Sequence, residues 1–222
     1  MEKLRVRIVR DYNPQNPFLD WECEPNIVWE FDRNIQGNIE QVKGAIYEAW
    51  DGEFKTEELS NILEVHKEDF DDTEEFLDAI GYELQQYLSI EQLAQLCELF
   101  NIKHKHFVSR GYSQGYYAEA WAIIDDEFIQ RTGAKIENSE EILNSTVKLF
   151  NAWAWGNVFG YILEEKKRFT KIYEDGTTEE DFEWEQIDSC WGFYGDDWET
   201  NGIKEHLPQE VHEQLRYIEV EY

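Results

Sequence analysis

Three groups of residues in this chain have the types and spacing that chemistry needs. The first is Gly111-Tyr-Ser-Gln-Gly115, which matches Gly-x-Ser-x-Gly. In a nucleophile elbow that pattern lifts a serine above a sheet on a sharp strand-to-helix turn, and the glycines permit the turn. Asp188 or Asp196 followed by His206 or His212 would complete a Ser, Asp, His order. Against this stand a half-polar run before the turn, Lys103-His-Lys-His-Phe-Val-Ser-Arg110, and the bulky Tyr116-Tyr117 after it. An elbow follows a strand buried on both faces, so a plain hairpin turn is the favoured reading and a serine hydrolase acting through Ser113 the alternative.

The second group is His104 and His106. Two residues apart on a strand, they share a face and could supply half a metal site, but spacing names no third ligand. The third is Asp188, Asp196 and Asp197 around Cys190-Trp-Gly-Phe-Tyr-Gly195. Paired carboxylates can do acid–base work or hold Mg²⁺. The simpler assignment gives the turns to Gly192 and Gly195, the core to the aromatics, and a helix start to Asp196 and Asp197. No catalytic residue, metal or cofactor is expected.

These residues need a scaffold, and hydrophobic periodicity outlines it. Leu4–Arg10 alternates apolar and basic residues as a half-buried strand does. Asp11–Pro25 holds three Asn-Pro or Glu-Pro steps and reads as a loop. Strand patterns recur at 26–31, 103–108, 117–124, 157–168, 169–173 and 182–187, with an Asp175-Gly176 hairpin signal. Helical spacing marks 38–50, 56–66, 72–88, 89–100, 125–131, 139–153 and 208–216. Ser89-Ile-Glu-Gln92 has the form of a capping box. The expected fold is α+β: one domain over 1–222, a mostly antiparallel single sheet, and an acidic helical segment inserted at about 56–100.

Composition sets the partners. The chain has 222 residues, with 49 acidic against 20 basic side chains and a net charge of −29. Binding phosphates over a broad surface needs Lys and Arg to displace counterions, so direct nucleic-acid binding is not expected. A basic protein partner is, although the charge could serve solubility alone. Three cysteines without a Cys-x-x-Cys pair argue against a disulfide framework and for a reducing compartment. No secretory signal and no membrane span is expected, which places the protein in the cytoplasm of a host cell. The oligomeric state stays open, a homodimer included.

With Gly111–Ala118, Gly156–Ile162 and Asp188-Ser-Cys-Trp-Gly-Phe-Tyr-Gly-Asp196 set out, the chain resembles a group of acidic proteins from phages and mobile elements. The resemblance covers the second half, the first strand and the Asn16-Pro17 loop, where Phe18 stands in place of an expected Arg. A less specific likeness, in acidity, aromatic content and segments such as Tyr87–Leu93, is to ArdA-type antirestriction proteins, which are acidic DNA mimics. Together these imply a non-enzymatic inhibitor of a host restriction or CRISPR effector, working by nucleic-acid mimicry. The alternatives are the hydrolase above and an acidic structural or assembly protein. The expected contact residues form two clusters: Glu68, Asp69, Asp71, Asp72, Glu74 and Glu75, and Glu179, Glu180, Asp181, Glu183 and Glu185. From Asp181 onward the second alternates, so Asp181, Glu183 and Glu185 should share one strand face.

Overall fold

The computed structural model describes residues 3–31, 34–50, 55–112 and 116–221; for residues 31, 34, 110–112 and 116–118 only the backbone is described. In chain order it runs β1 (Leu4–Arg10), α1 (Pro17–Asp20), β2 (Asn26–Phe31), β3 (Asn34–Gly37), α2 (Ile39–Ala49), α3 (Thr56–Leu63), α4 (Thr73–Gln85) and α5 (Ile90–Leu99). There follow β4 (Lys103–Tyr112), β5 (Tyr116–Ile124), α6 (Asp126–Thr132), α7 (Ser139–Ala154), β6 (Val158–Ile172), β7 (Thr178–Tyr194), α8 (Ile203–His206) and β8 (Val220–Glu221). The class is α+β with mostly antiparallel pairing. The strands do not form the single sheet that the sequence suggests. They form two four-stranded sheets, β7-β6-β1-β8 and β3-β2-β5-β4. The chain gathers into two compact units, residues 1–15 with 152–222, and residues 16–151.

In the unit formed by residues 16–151, period-2 alternation gives the sheet two apolar faces. Val28, Trp121 and Ile123 point into a core built with Val42 and Ile46 of α2, Leu59 of α3, Ile80 of α4, and Leu93 and Leu96 of α5. Each fully buried Leu or Ile contributes about 1.5–3 kcal/mol relative to exposure. Trp29 lies on the opposite face and packs at 5.6 Å on Phe150 of α7, which also meets Phe18 at 5.8 Å and Phe107 at 5.4 Å. Ala120 and Ala122, both fully buried, share that face and leave room for the large rings. The segment 56–100 contains α3, α4 and α5. Asp72 caps α4 through the Glu75 N–H at 2.9 Å, and Ser89 and Gln92 form the reciprocal capping box of α5. The Asp11–Pro25 loop holds the short α1. Asn16 caps it by accepting the Phe18 N–H, and Pro17 takes the first helical position, where a missing N–H costs nothing.

In the other unit, β1 pairs with β6 from Leu4↔Glu165 to Arg10↔Phe159. One sheet face carries Val6, Ile8, Phe159, Leu163 and Phe193, closed over by Ile203, Leu207, Val211 and Leu215. The expected helix at 208–216 is instead two 3₁₀ turns, Gln209–Val211 and Gln214–Arg216. A tertiary contact accompanies the change: Gln214 accepts the Val6 N–H at 3.1 Å and donates to the Leu4 carbonyl at 3.0 Å. Its side chain thus serves two β1 backbone groups. The strands expected at 157–168 and 169–173 are one strand, β6, and the turn at Tyr173–Thr177 joins it to β7.

Candidate acidic binding surfaces

The Ile187–Trp198 stretch is mainly the C-terminal half of β7, and it is not built as a run of turns. The β6–β7 register steps from Phe159↔Phe193 to Gly160↔Trp191, which leaves Gly192 as a bulge at φ +85°. A second step, from Leu163↔Asp188 to Glu164↔Gln186, leaves Ile187 unpaired. Asp188 accepts the Tyr161 hydroxyl at 2.7 Å. Burial first, and then this carboxylate, push the Tyr161 phenol well above the ordinary tyrosine range. Asp197 organises a turn rather than starting a helix, accepting the Glu199 N–H and the Thr200 hydroxyl.

His104 and His106 do share a face of β4. Both rings stack on Trp121, at 5.6 and 4.6 Å between centroids. The Nδ1 of His104 is 2.9 Å from the Ile102 carbonyl, and the Nε2 of His106 is 2.7 Å from Glu119. Among the described residues no group of three or more His, Cys, Asp or Glu is arranged to hold a metal ion. His206 packs edge-on against Phe193, and the His212 Nε2 meets the Leu207 carbonyl at 2.9 Å. Ser113 lies outside the described residues, with Gln114 and Gly115. The segment that follows is the strand β5, paired antiparallel with β4, whereas a nucleophile elbow leads into a helix.

The first acidic cluster belongs to the unit of residues 16–151. Glu68 and Asp69 sit on a 3₁₀ turn, Asp71 on the link, Asp72 at the α4 cap, and Glu74 and Glu75 in its first turn. All six are exposed. The last three have a structural reason to be acidic, because carboxylates near a helix N-terminus meet its positive end. Glu68, Asp69 and Asp71 lie outside α4, Glu68 and Asp69 within the short 3₁₀ turn that precedes it. Among the described residues none of the six is ion-paired.

The second cluster lies on β7, in the other unit, and its charge is partly answered from β6. Asp181, Glu183 and Glu185 share one face, opposite Phe169, Lys167 and Glu165. Lys171 pairs with Asp181, and Lys167 reaches Glu165 at 2.5 Å and Glu185 at 3.9 Å. The ammonium of Lys171 and the Phe182 N–H hold the Asp181 carboxyl below its ordinary range. Glu179 accepts the Tyr173 hydroxyl at 2.6 Å.

The reverse face of this hairpin carries an arrangement that the sequence reading did not find. Arg5 lies 4.5 Å over Trp184, Lys166 4.5 Å over Phe182, and Arg168 5.5 Å from the same ring. Arg5 and Arg7 also flank the buried Glu164, at 2.5 and 3.7 Å. Lys166-Lys167-Arg168 is the longest basic run in the chain, and the alternation of Phe182 and Trp184 was the available signal. Only the β6–β7 register shows that they meet.

Comparison with protein-family models, with characterised proteins and with solved structures finds no match.

Proposed function

We propose that the protein is a non-enzymatic acidic binder from a phage or mobile element. It occupies the basic, nucleic-acid-binding surface of a host defence protein, a restriction or CRISPR effector, by offering carboxylates where that surface would meet phosphates. The observation that carries the proposal is the Glu68–Glu75 cluster: six exposed carboxylates within eight residues, none ion-paired among the described residues. Duplex DNA offers one charge per roughly 1.7 Å of axis. Glu74 and Glu75 lie on a helix, which rises about 1.5 Å per residue, and Glu68, Asp69, Asp71 and Asp72 lead into it.

The test is binding to a partner captured from host lysate, measured for single and clustered Asn or Gln variants at low and high salt. One exposed ion pair is worth about 0–1 kcal/mol, so single changes should be hard to see. Neutralising four should cost roughly 1–4 kcal/mol, or about a five- to a thousandfold rise in Kd. Raised salt should weaken binding steeply through screening. The first cluster should matter more than the second, whose Asp181 and Glu185 already face Lys171 and Lys167. Wild-type binding by both clustered variants, with no salt effect, would leave the charge to solubility alone. Loss of activity from Asp188→Asn in a well-folded variant would point to a localised site instead.

A further inference from the structure

We propose that the outer edge of β7, over Thr178–Gln186, receives an extended basic segment of a partner protein by strand addition. This rests on the acidic-binder function above and specifies how such a partner is held. β7 ends its sheet and is 17 residues long. A sheet edge presents a row of backbone N–H and C=O groups to any chain that can pair with it; on this edge the Phe182 N–H already donates to the Asp181 carboxylate at 2.8 Å, a bond that an added strand would have to replace. Every residue from Thr178 to Ile187 is exposed or half-exposed. The two register steps of the hairpin lie at Ile187 and Gly192, so the Thr178–Gln186 segment pairs without interruption from Ile172↔Thr178 to Glu164↔Gln186. Bulges are one way in which edges are blunted, and this stretch of edge has none.

The same stretch is short of support. β1 reaches only as far as Glu165, with one further bond from the Lys166 N–H to the Lys3 carbonyl. Beyond that point, among the described residues, β6 and β7 pair only with each other, and a two-stranded ribbon is marginal in water unless a third strand or another layer joins it. An added strand on the β7 side would supply that third strand.

Charge selects the occupant. A second copy pairing β7 to β7 would set Glu179, Glu180, Asp181, Glu183 and Glu185 against the same run, and like charges directly opposite are destabilising. A Lys- or Arg-bearing strand meets the opposite situation, most directly at Glu183, because Asp181 and Glu185 already face Lys171 and Lys167. Asp181, Glu183 and Glu185 lie on one face, and Phe182 and Trp184 on the other, at 38% exposure for Phe182 and half-buried for Trp184. The segment that fits therefore alternates basic and apolar residues, with the basic ones on the carboxylate side.

The probe is a labelled nine-residue peptide of alternating Lys and Val, with blocked ends, titrated into the intact protein at fixed ionic strength. Two versions carry N-methyl groups on alternate backbone nitrogens, one in each register. They keep the charge and remove one row of donors. Strand addition predicts that the parent peptide binds and that one N-methyl register weakens binding about tenfold or more. The other register should bind like the parent. Amide exchange should slow in Thr178–Gln186, and the combined Asp181→Asn, Glu183→Gln, Glu185→Gln variant should bind more weakly. Equal binding by all three peptides would overturn strand addition while leaving a charge-driven acidic binder standing. Absence of binding, or protection that maps to Glu68–Glu75 instead, would also overturn it. The acidic-binder function itself falls only by the separate test with the captured partner.

Discussion

Gly160 is where a single methyl group should do most harm to the sheet of β1, β6, β7 and β8. Trp191 lies directly across from it, and the bulge at Gly192 sets that register. A Cβ at position 160 would stand 2.3 Å from Trp191 Cε3, 2.5 Å from Cδ2 and 2.8 Å from the Cys190 carbonyl oxygen. Comfortable carbon contacts begin near about 3.5 Å, so each of these is a collision. Trp191 is 47% exposed, so its ring can swing out. The Cys190 carbonyl belongs to the β7 backbone and can move only by disturbing the ladder. Overpacking costs about 1–3 kcal/mol in general, and a backbone clash places Gly160→Ala in the upper half of that range. Gly192→Ala makes an instructive contrast. Its Cβ would meet nothing within 4 Å, but φ is +85°, so the cost is backbone strain of about 1–2 kcal/mol. Trp191→Ala separates the two mechanisms. Added to Gly160→Ala it should recover about 1 kcal/mol, because the ring collision is gone. Added to Gly192→Ala it should recover nothing, because no ring is struck there. Calorimetric unfolding of the intact protein is the assay, since it resolves two units if they melt apart. Wild-type melting of Gly160→Ala, or a cost that Trp191→Ala leaves unchanged, would refute the packing argument.

Three further outcomes follow from the unit of residues 16–151. Ser89→Ala should cost about 1 kcal/mol through loss of the α5 cap. Gln92→Ala should cost more, because Gln92 also donates to the Ile62 carbonyl of α3 at 3.1 Å; equal melting temperatures for the two variants would contradict this. Burial, with a smaller push from Glu98, raises the Cys97 thiol to about 12, while Cys23 is exposed. A maleimide should therefore label Cys23 at once and Cys97 only after unfolding. A raised folded-state pKa means that the stabilisation is fully present below the ordinary thiol range and is lost as pH rises through about 12. Stability measured from pH 9 upward should fall, and a Cys97→Ala variant should fall less steeply over the same range.

The sequence by itself determined the local structure. Ser89 and Gln92 gave the start of α5, Asp72 the start of α4, and Asp175-Gly176 the turn between β6 and β7, because caps and tight turns are satisfied by residues a few positions apart. Apolar periodicity marked α2 to α5 and α7 for the same reason. The net charge likewise needs no fold to be read. Some local signals were legible but missed, as with Asn16 and Pro17, whose loop-like step is the cap and first residue of α1.

Tertiary structure alone decided whatever depends on which strands pair. Alternation identifies a strand but not its neighbour, so one sheet and two sheets look alike in sequence. The β6–β7 register put Gly160 under Trp191, turned Gly192 into a bulge, and stacked Lys166 and Arg168 on Phe182. It also decided which carboxylates keep their charge unanswered. Asp181 and Glu68 read alike in the chain, but Lys171 pairs with Asp181 across the hairpin, ten residues away in sequence, whereas Glu68 forms no ion pair among the described residues. The 3₁₀ turns near the C-terminus follow the same rule. Leu207, Val211 and Leu215 have helical spacing, yet Gln214 bonds to β1 more than two hundred residues away, a contact that no local pattern encodes.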